Sequence, residues 1–193
     1  MRQRGGAAGA VACRLRGPEG EVTLTGAYER ALEASRRAGA ALRRGGLTLA
    51  AAESCTGGLI SALVTDVPGS SEYFLGAVVA YSNDVKVKVL GVPRALIEDR
   101  GAVCEETAAA MAGGARRLLG ADIGVSATGI AGPGGAVEGK PVGTVFIAVA
   151  SDRGVSVRRL ALRGGRADVR LAAAAEILGE VSAACERIRG GAL

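Results

Sequence analysis

Asp122–Thr128 (DIGVSAT) and Val142–Ala150 (VGTVFIAVA) are two nearly continuous apolar runs of strand length. A half-exposed strand alternates apolar with polar residues, whereas a run like these is what a strand buried on both faces looks like. Between them lies Gly129–Pro141, a segment rich in Gly and Pro that reads as a loop. Working outward, Val155–Leu162 reads as a further strand, and residues 167–189 as a helix carrying Leu171, Ala174, Leu178, Val181, Cys185 and Ile188 at spacings of three and four. That stripe is expected to pack on the sheet rather than to form a coil with a partner. Upstream, residues 27–44 place Tyr28, Ala31, Leu32, Ser35, Ala38 and Leu42 on one helical face, ended by Gly45 and Gly46. Leu47–Ala52 reads as a short buried strand running into a helix that ends near Asp66, and Tyr73–Tyr81 as another strand after a loop at Pro68–Ser71. Short helices are expected from Asn83 and from near Pro93. Glu105–Leu119 makes a longer one, with acids in its first turn and Arg116 and Arg117 in its last, as the helix dipole favours. Strands alternating with helices predict a single layered α/β domain, its sheet mixed or mostly parallel and flanked by helices.

The composition narrows the chemistry. Among 193 residues there is no histidine, which removes Ser-His and Cys-His nucleophile pairs and every His-ligated metal site. Acid–base work must fall to Lys, Tyr, Cys, Asp or Glu. Of the 24 basic residues only Lys86, Lys88 and Lys140 are lysines, in a chain whose abundance of Ala and Gly points to a GC-rich genome. Where a bare cation suffices, such a bias lets Lys drift to Arg; Arg cannot give up its proton, so the surviving lysines are candidates for chemistry that Arg cannot do. Cys13, Cys55, Cys104 and Cys185 are far apart with no C-x-x-C pairing, which fits a reducing cytoplasm better than a zinc site or a disulfide scaffold. No apolar run approaches a membrane span, and no secretory signal is read. The net charge of +5 is dispersed, and aromatics make up 3% of the chain, so nucleic-acid binding is not favoured. Residues 1–25, Gly- and Arg-rich without periodicity, read as a disordered tail.

Three segments carry possible chemistry. Glu53-Ser54-Cys55-Thr56-Gly57-Gly58 sits at a strand-to-helix junction. Its ordinary role would be to cap the helix; its functional role would be to hold a nucleophile where free N–H groups of the first turn form an oxyanion hole. Ser54 and Cys55 compete for that part, the serine needing a base and the thiolate a nearby cation. Tyr81-Ser82-Asn83-Asp84-Val85-Lys86 lies at a strand end. Lys86 is either one more solvated lysine or, if desolvated, a general base for Ser54; Lys88 is then the exposed neighbour. Thr128–Gly135 (TGIAGPGG), with Lys140 after it, is a Gly-rich loop that can turn N–H groups toward a phosphate, although it is neither a Walker A loop nor a clean dinucleotide fingerprint. Read alone it is better explained as a mobile surface loop. Arg163, Arg166 and Arg170 near the last helix start could add a phosphate clamp.

Taken in order, Ala52–Gly58 (AESCTGG), Pro68–Ser71 (PGSS), Ala80–Lys86 (AYSNDVK), Gly101–Thr107 (GAVCEET), Thr128–Gly135 and Lys140–Thr144 (KPVGT) resemble the CinA C-terminal domain family, whose stand-alone members are nicotinamide mononucleotide deamidases. The resemblance runs through most of residues 27–188, and the domain it implies is expected to span residues 26–190. It implies a compact α/β amidohydrolase domain needing no cofactor or metal, which turns nicotinamide mononucleotide into nicotinate mononucleotide and ammonia in pyridine nucleotide recycling. It also implies Ser54 as nucleophile, Lys86 as base and Tyr81 beside them. Substrate contacts carry over to Thr56, Gly57, Gly58, Asn83, Thr128, Gly129, Ala131, Gly132, Lys140 and Arg166. The partners expected are a mononucleotide substrate and further copies of the chain. Two features depart from the pattern: residues 1–25 have no counterpart, and Cys104 stands where a small polar residue is expected. A non-catalytic nucleotide-binding or competence-associated accessory module is the alternative, although a binder would need no base.

Overall fold

The computed structural model describes residues 24–190, so the expected tail lies outside the described residues except for Leu24 and Thr25, which already belong to the first helix. Five strands form one sheet: β1 Leu49–Glu53, β2 Phe74–Val79, β3 Ile123–Gly129, β4 Thr144–Ser151 and β5 Gly154–Ala161, in the order β2-β1-β3-β4-β5. β1 runs parallel to β2 and β3; β4 is antiparallel to β3, and β5 to β4. The sheet is therefore mixed. The parallel pairs are joined through helices and the antiparallel β4–β5 pair through a tight turn, as each geometry requires.

The two runs that predict the fold become β3 and β4, and their residues are buried almost throughout, as are those of β1. Each strand sends alternate residues to opposite faces. Leu49, Ile123, Val125, Ile147 and Val149 face a core shared with helices α1 (Leu24–Gly45), α2 (Leu59–Thr65) and α6 (Arg166–Gly190). Ala50, Ala52, Phe146 and Ala148 face α3 (Asn83–Lys88), α4 (Arg94–Arg100) and α5 (Glu105–Leu119). The small residues let that second layer come close. A Cβ on Gly124 would lie 2.2 Å from the Ala112 carbonyl oxygen of α5, which no side chain tolerates.

The α6 stripe is broader than its spacing predicts, because Ala173, Ile177 and Ala184 are buried as well. α6 packs on β3 and β4 but more extensively on α1, so two neighbours rather than one exclude water from it. On the α1 side, the buried Ser35 hydroxyl donates to the Leu63 carbonyl at 2.8 Å, tying α1 to α2. No helix among the described residues is long and apolar enough to cross a membrane.

The position of Cys104 has a structural explanation. It is the N-cap of α5, its backbone extended and its Sγ accepting from the Thr107 N–H at 3.4 Å, with the Gly101 carbonyl and Thr107 Oγ1 also within reach. A cap accepts a hydrogen bond from one of the unpaired first-turn amides, which is why a small polar residue is expected there. Cys104→Ser should hold or raise stability, whereas Cys104→Ala should cost about 1 kcal/mol. Urea denaturation of the two variants checks this, and an alanine variant as stable as the serine one would refute the capping role.

Candidate active site

The three parallel strands end at one edge of the sheet, where open α/β sheets bind their ligands. Glu53 of β1 is level with Val79 of β2 and Ala127 of β3. The chain segments that follow those strands therefore meet: the Ser54 turn, the Ala80–Lys86 segment and the Gly-rich loop. Two hydrogen bonds extend the sheet into them, from the Ser54 N–H to the Ala127 carbonyl at 2.9 Å and from the Ala80 N–H to the Glu53 carbonyl at 2.8 Å.

Ser54 is half-buried at the start of a turn that returns sharply through Gly57 (φ 58°) and Gly58 (φ 93°). Both glycines sit in the left-handed region that side chains disfavour. The N–H groups expected to form an oxyanion hole at this turn are largely engaged. The Gly57 N–H donates to the Ser54 carbonyl at 3.1 Å and the Gly58 N–H to Glu53 Oε2 at 2.8 Å. The Thr56 amide carries no hydrogen bond among the described residues, and the Cys55 amide meets only its own thiol. Thr56 is fully buried; its carbonyl takes two bonds from the Arg170 guanidinium, at 2.6 and 3.2 Å, and its hydroxyl has no partner among the described residues.

Lys86 is one of the largest fully buried side chains, at 1% exposure. It reaches back from α3 so that Nζ donates to the Ala80 carbonyl at 2.8 Å and the Tyr81 carbonyl at 3.2 Å. Burial lowers its pKa below the ordinary lysine value, against a weaker pull upward from Cys55. Lys88, two residues on, is exposed. Cys55 lies in the same corner. Burial pushes its thiol up to about 11, although its own backbone N–H and, more weakly, Arg170 and Lys86 draw it downward. The thiol is therefore protonated near neutrality, which weighs against Cys55 as the nucleophile.

Tyr81 is exposed, and its hydroxyl accepts from Arg166 at 2.9 Å; the same guanidinium donates to the Gly132 carbonyl at 2.9 Å. The first two turns of α6 thus clip all three segments together, Arg166 holding Tyr81 and the Gly-rich loop while Arg170 holds the Ser54 turn. Arg163 makes no such bond among the described residues. Gly129 has to be glycine, since a Cβ would meet the Thr144 carbonyl oxygen at 2.7 Å and Val145 at 2.6 Å. Ala131 and Gly132 are buried, and Asn83 is exposed at the start of α3. Thr128 is buried, and its hydroxyl donates to the Ala102 carbonyl at 2.7 Å. Lys140 is bound to the Arg100 carbonyl at 3.2 Å, at the end of α4 rather than against the glycines.

The residue that sequence reasoning passed over is Glu53. Its carboxylate, at 0% exposure, accepts from the Gly58, Ile60 and Ser61 amides and from the Ser61 hydroxyl. One signal was available: a glutamate ending an otherwise apolar buried strand needs donors, and the amides of the next helix are the nearest.

The comparisons with known proteins agree with this architecture. The CinA C-terminal domain family matches residues 31–185. A putative competence-damage inducible protein of Desulforudis audaxviator is 56% identical over 130 residues, covering 67% of this chain and 32% of that protein. A CinA-like protein of Geotalea uraniireducens is 51% identical over 129 residues, covering 67% and 31%. The chain thus matches about a third of the length of these relatives. Among solved structures, the competence/damage inducible protein CihA from Agrobacterium tumefaciens superposes with a TM-score of 0.77 at 38% identity, over 80% of this chain and 94% of that one. A CinA superfamily protein from Klebsiella pneumoniae does so with a TM-score of 0.79 at 29% identity, over 81% and 98%.

Proposed function

Because the chain belongs to the CinA C-terminal domain family, we propose that it is a nicotinamide mononucleotide amidohydrolase, releasing ammonia and nicotinate mononucleotide through a Ser54–Lys86 pair. The observation that carries this reading is the burial of Lys86 against two carbonyls. A neutral amine has two N–H donors and one lone pair. With the donors given to Ala80 and Tyr81, the lone pair is left to accept the Ser54 proton.

Ser54 Oγ attacks the carboxamide carbon as Lys86 takes its proton. The developing oxyanion is held by the Cys55 and Thr56 amides, the donors in the turn that Glu53 and Ser54 do not already occupy. Lys86 returns the proton to the leaving nitrogen, directly or through Tyr81, and ammonia departs. Water then attacks the acyl-enzyme with the same lysine as base, freeing Ser54 and leaving a carboxylate. The positive pyridinium ring draws electrons from the carboxamide, so the step asks for no further electrophile. The 5′-phosphate lies at the 129–135 loop with Arg166 beside it; two of the five N–H donors of that guanidinium bind Tyr81 and Gly132, leaving others for phosphate oxygens.

The test is ammonia release with chelator present, on nicotinamide, its riboside and its mononucleotide. Ammonia is expected from the mononucleotide in equal amount with nicotinate mononucleotide, more slowly from the riboside, and least from the uncharged base. Calorimetric binding of the mononucleotide with no ammonia would overturn the reading in favour of a binding module.

A further inference from the structure

We infer that Glu53 is the positioning residue of the Ser54–Lys86 pair, an inference that rests on the function proposed above. Its side chain works on one member of the pair and its main chain on the other.

The Glu53 carboxylate lies at the N-terminal end of α2, wholly buried. Oε2 accepts from the Gly58 N–H at 2.8 Å and the Ile60 N–H at 3.1 Å; Oε1 accepts from the Ser61 N–H at 2.9 Å and the Ser61 hydroxyl at 2.5 Å. Four donors on two oxygens match the acceptor inventory of a carboxylate. Gly58, the residue in the capping position, makes no side-chain cap bond of its own, so Glu53 caps α2 from five residues upstream. The result is a closed ring from residue 53 to residues 58–61 with Ser54 inside it. Upstream, the Ser54 N–H is already held by the β3 carbonyl of Ala127. The nucleophile's backbone is thus fixed on both sides.

The main chain of the same residue reaches the base. The Glu53 carbonyl accepts from the Ala80 N–H at 2.8 Å, and the Ala80 carbonyl accepts from Lys86 Nζ at 2.8 Å. Two hydrogen bonds therefore connect Glu53 to the amine. A second consequence concerns the oxyanion. The amides of Gly58, Ile60 and Ser61 are spent on Glu53, so the N-terminus of α2 is closed to a developing negative charge, and stabilisation falls to Cys55 and Thr56 upstream. Glu53 acts through geometry, without touching the reacting atoms.

The test uses a serine-directed fluorophosphonate probe, whose attachment to Ser54 is located by peptide mapping and timed in the wild type, Glu53→Gln and Ser61→Ala. Thermal melting of each gives the folded fraction at the assay temperature. Glu53→Gln turns an amide NH2 toward backbone N–H groups, and labelling per folded molecule should fall by about 10²-fold. Ser61→Ala removes only the hydroxyl bond and should slow labelling about tenfold. On the mononucleotide, kcat should fall in parallel while KM moves by less than about threefold. A merely structural glutamate would lower the melting temperature yet leave labelling per folded molecule unchanged, and that result overturns the inference. Should Glu53→Gln not fold, Ser61→Ala decides alone: slowed labelling supports the role and wild-type labelling refutes it. If the wild type neither labels at Ser54 nor releases ammonia, the Ser54–Lys86 reading itself falls, and this inference with it.

Discussion

Lys86→Arg is expected to lose ammonia release by roughly 10³-fold, the scale on which a general base contributes, while the protein remains folded. The substitution keeps a cation and removes the ability to give up its proton. Burial at 1% exposure lowers the Lys86 pKa, so the neutral amine becomes available at lower pH than for a lysine in water. In the wild type, kcat/KM should therefore rise with pH through this depressed pKa and level off below the ordinary lysine value of about 10.4. The stability linkage has the same sign. A folded-state pKa below the unfolded one means that the unfolded chain binds more protons, so protonation opposes folding at low pH. That cost is relieved as pH rises from the folded pKa to the unfolded one. A pH–rate profile of wild type and variant checks both parts. An arginine variant at the wild-type rate would remove Lys86 from the chemistry.

Ser54→Ala should be the more severe loss, about 10⁴-fold or greater, because the neighbouring Cys55 is held as a neutral thiol and is a poor replacement. Cys55→Ala should keep kcat within about fivefold and cost roughly 1 kcal/mol of stability through lost packing. The asymmetry follows from the thiol, 6% exposed and pushed up to about 11 by burial, which leaves almost no thiolate at neutral pH. Iodoacetamide should accordingly modify Cys55 very slowly in the folded protein. If instead Ser54→Ala retains activity and Cys55→Ala loses it, the nucleophile is the cysteine.

Much of this was legible before folding. The apolar runs at residues 122–128 and 142–150 announce strands buried on two faces, and become β3 and β4. The α5 cap was legible only as an oddity, Cys104 in place of a small polar residue, until its Sγ was placed against the Thr107 amide. The strand read at Tyr73–Tyr81 shortens to Phe74–Val79, because Tyr73 closes a 3-10 turn and Tyr81 passes to the site rim. Arg166 and Arg170 were readable only as cations near a helix start. That one meets Tyr81, 85 residues away, and the other Thr56, 114 residues away, is a matter of strand order.

By itself the sequence determined which residue types are present to do chemistry, and where the strands and helices lie. The absence of histidine, the scarcity of lysine and the local periodicities are all properties of the chain as written, and need no partner in space. Only the tertiary structure decided that three strand ends meet at one edge, that Lys86 is buried, and that the α2 amides are spent on Glu53. Desolvation and hydrogen-bond satisfaction depend on what surrounds a group after packing, and those neighbours come from distant parts of the chain.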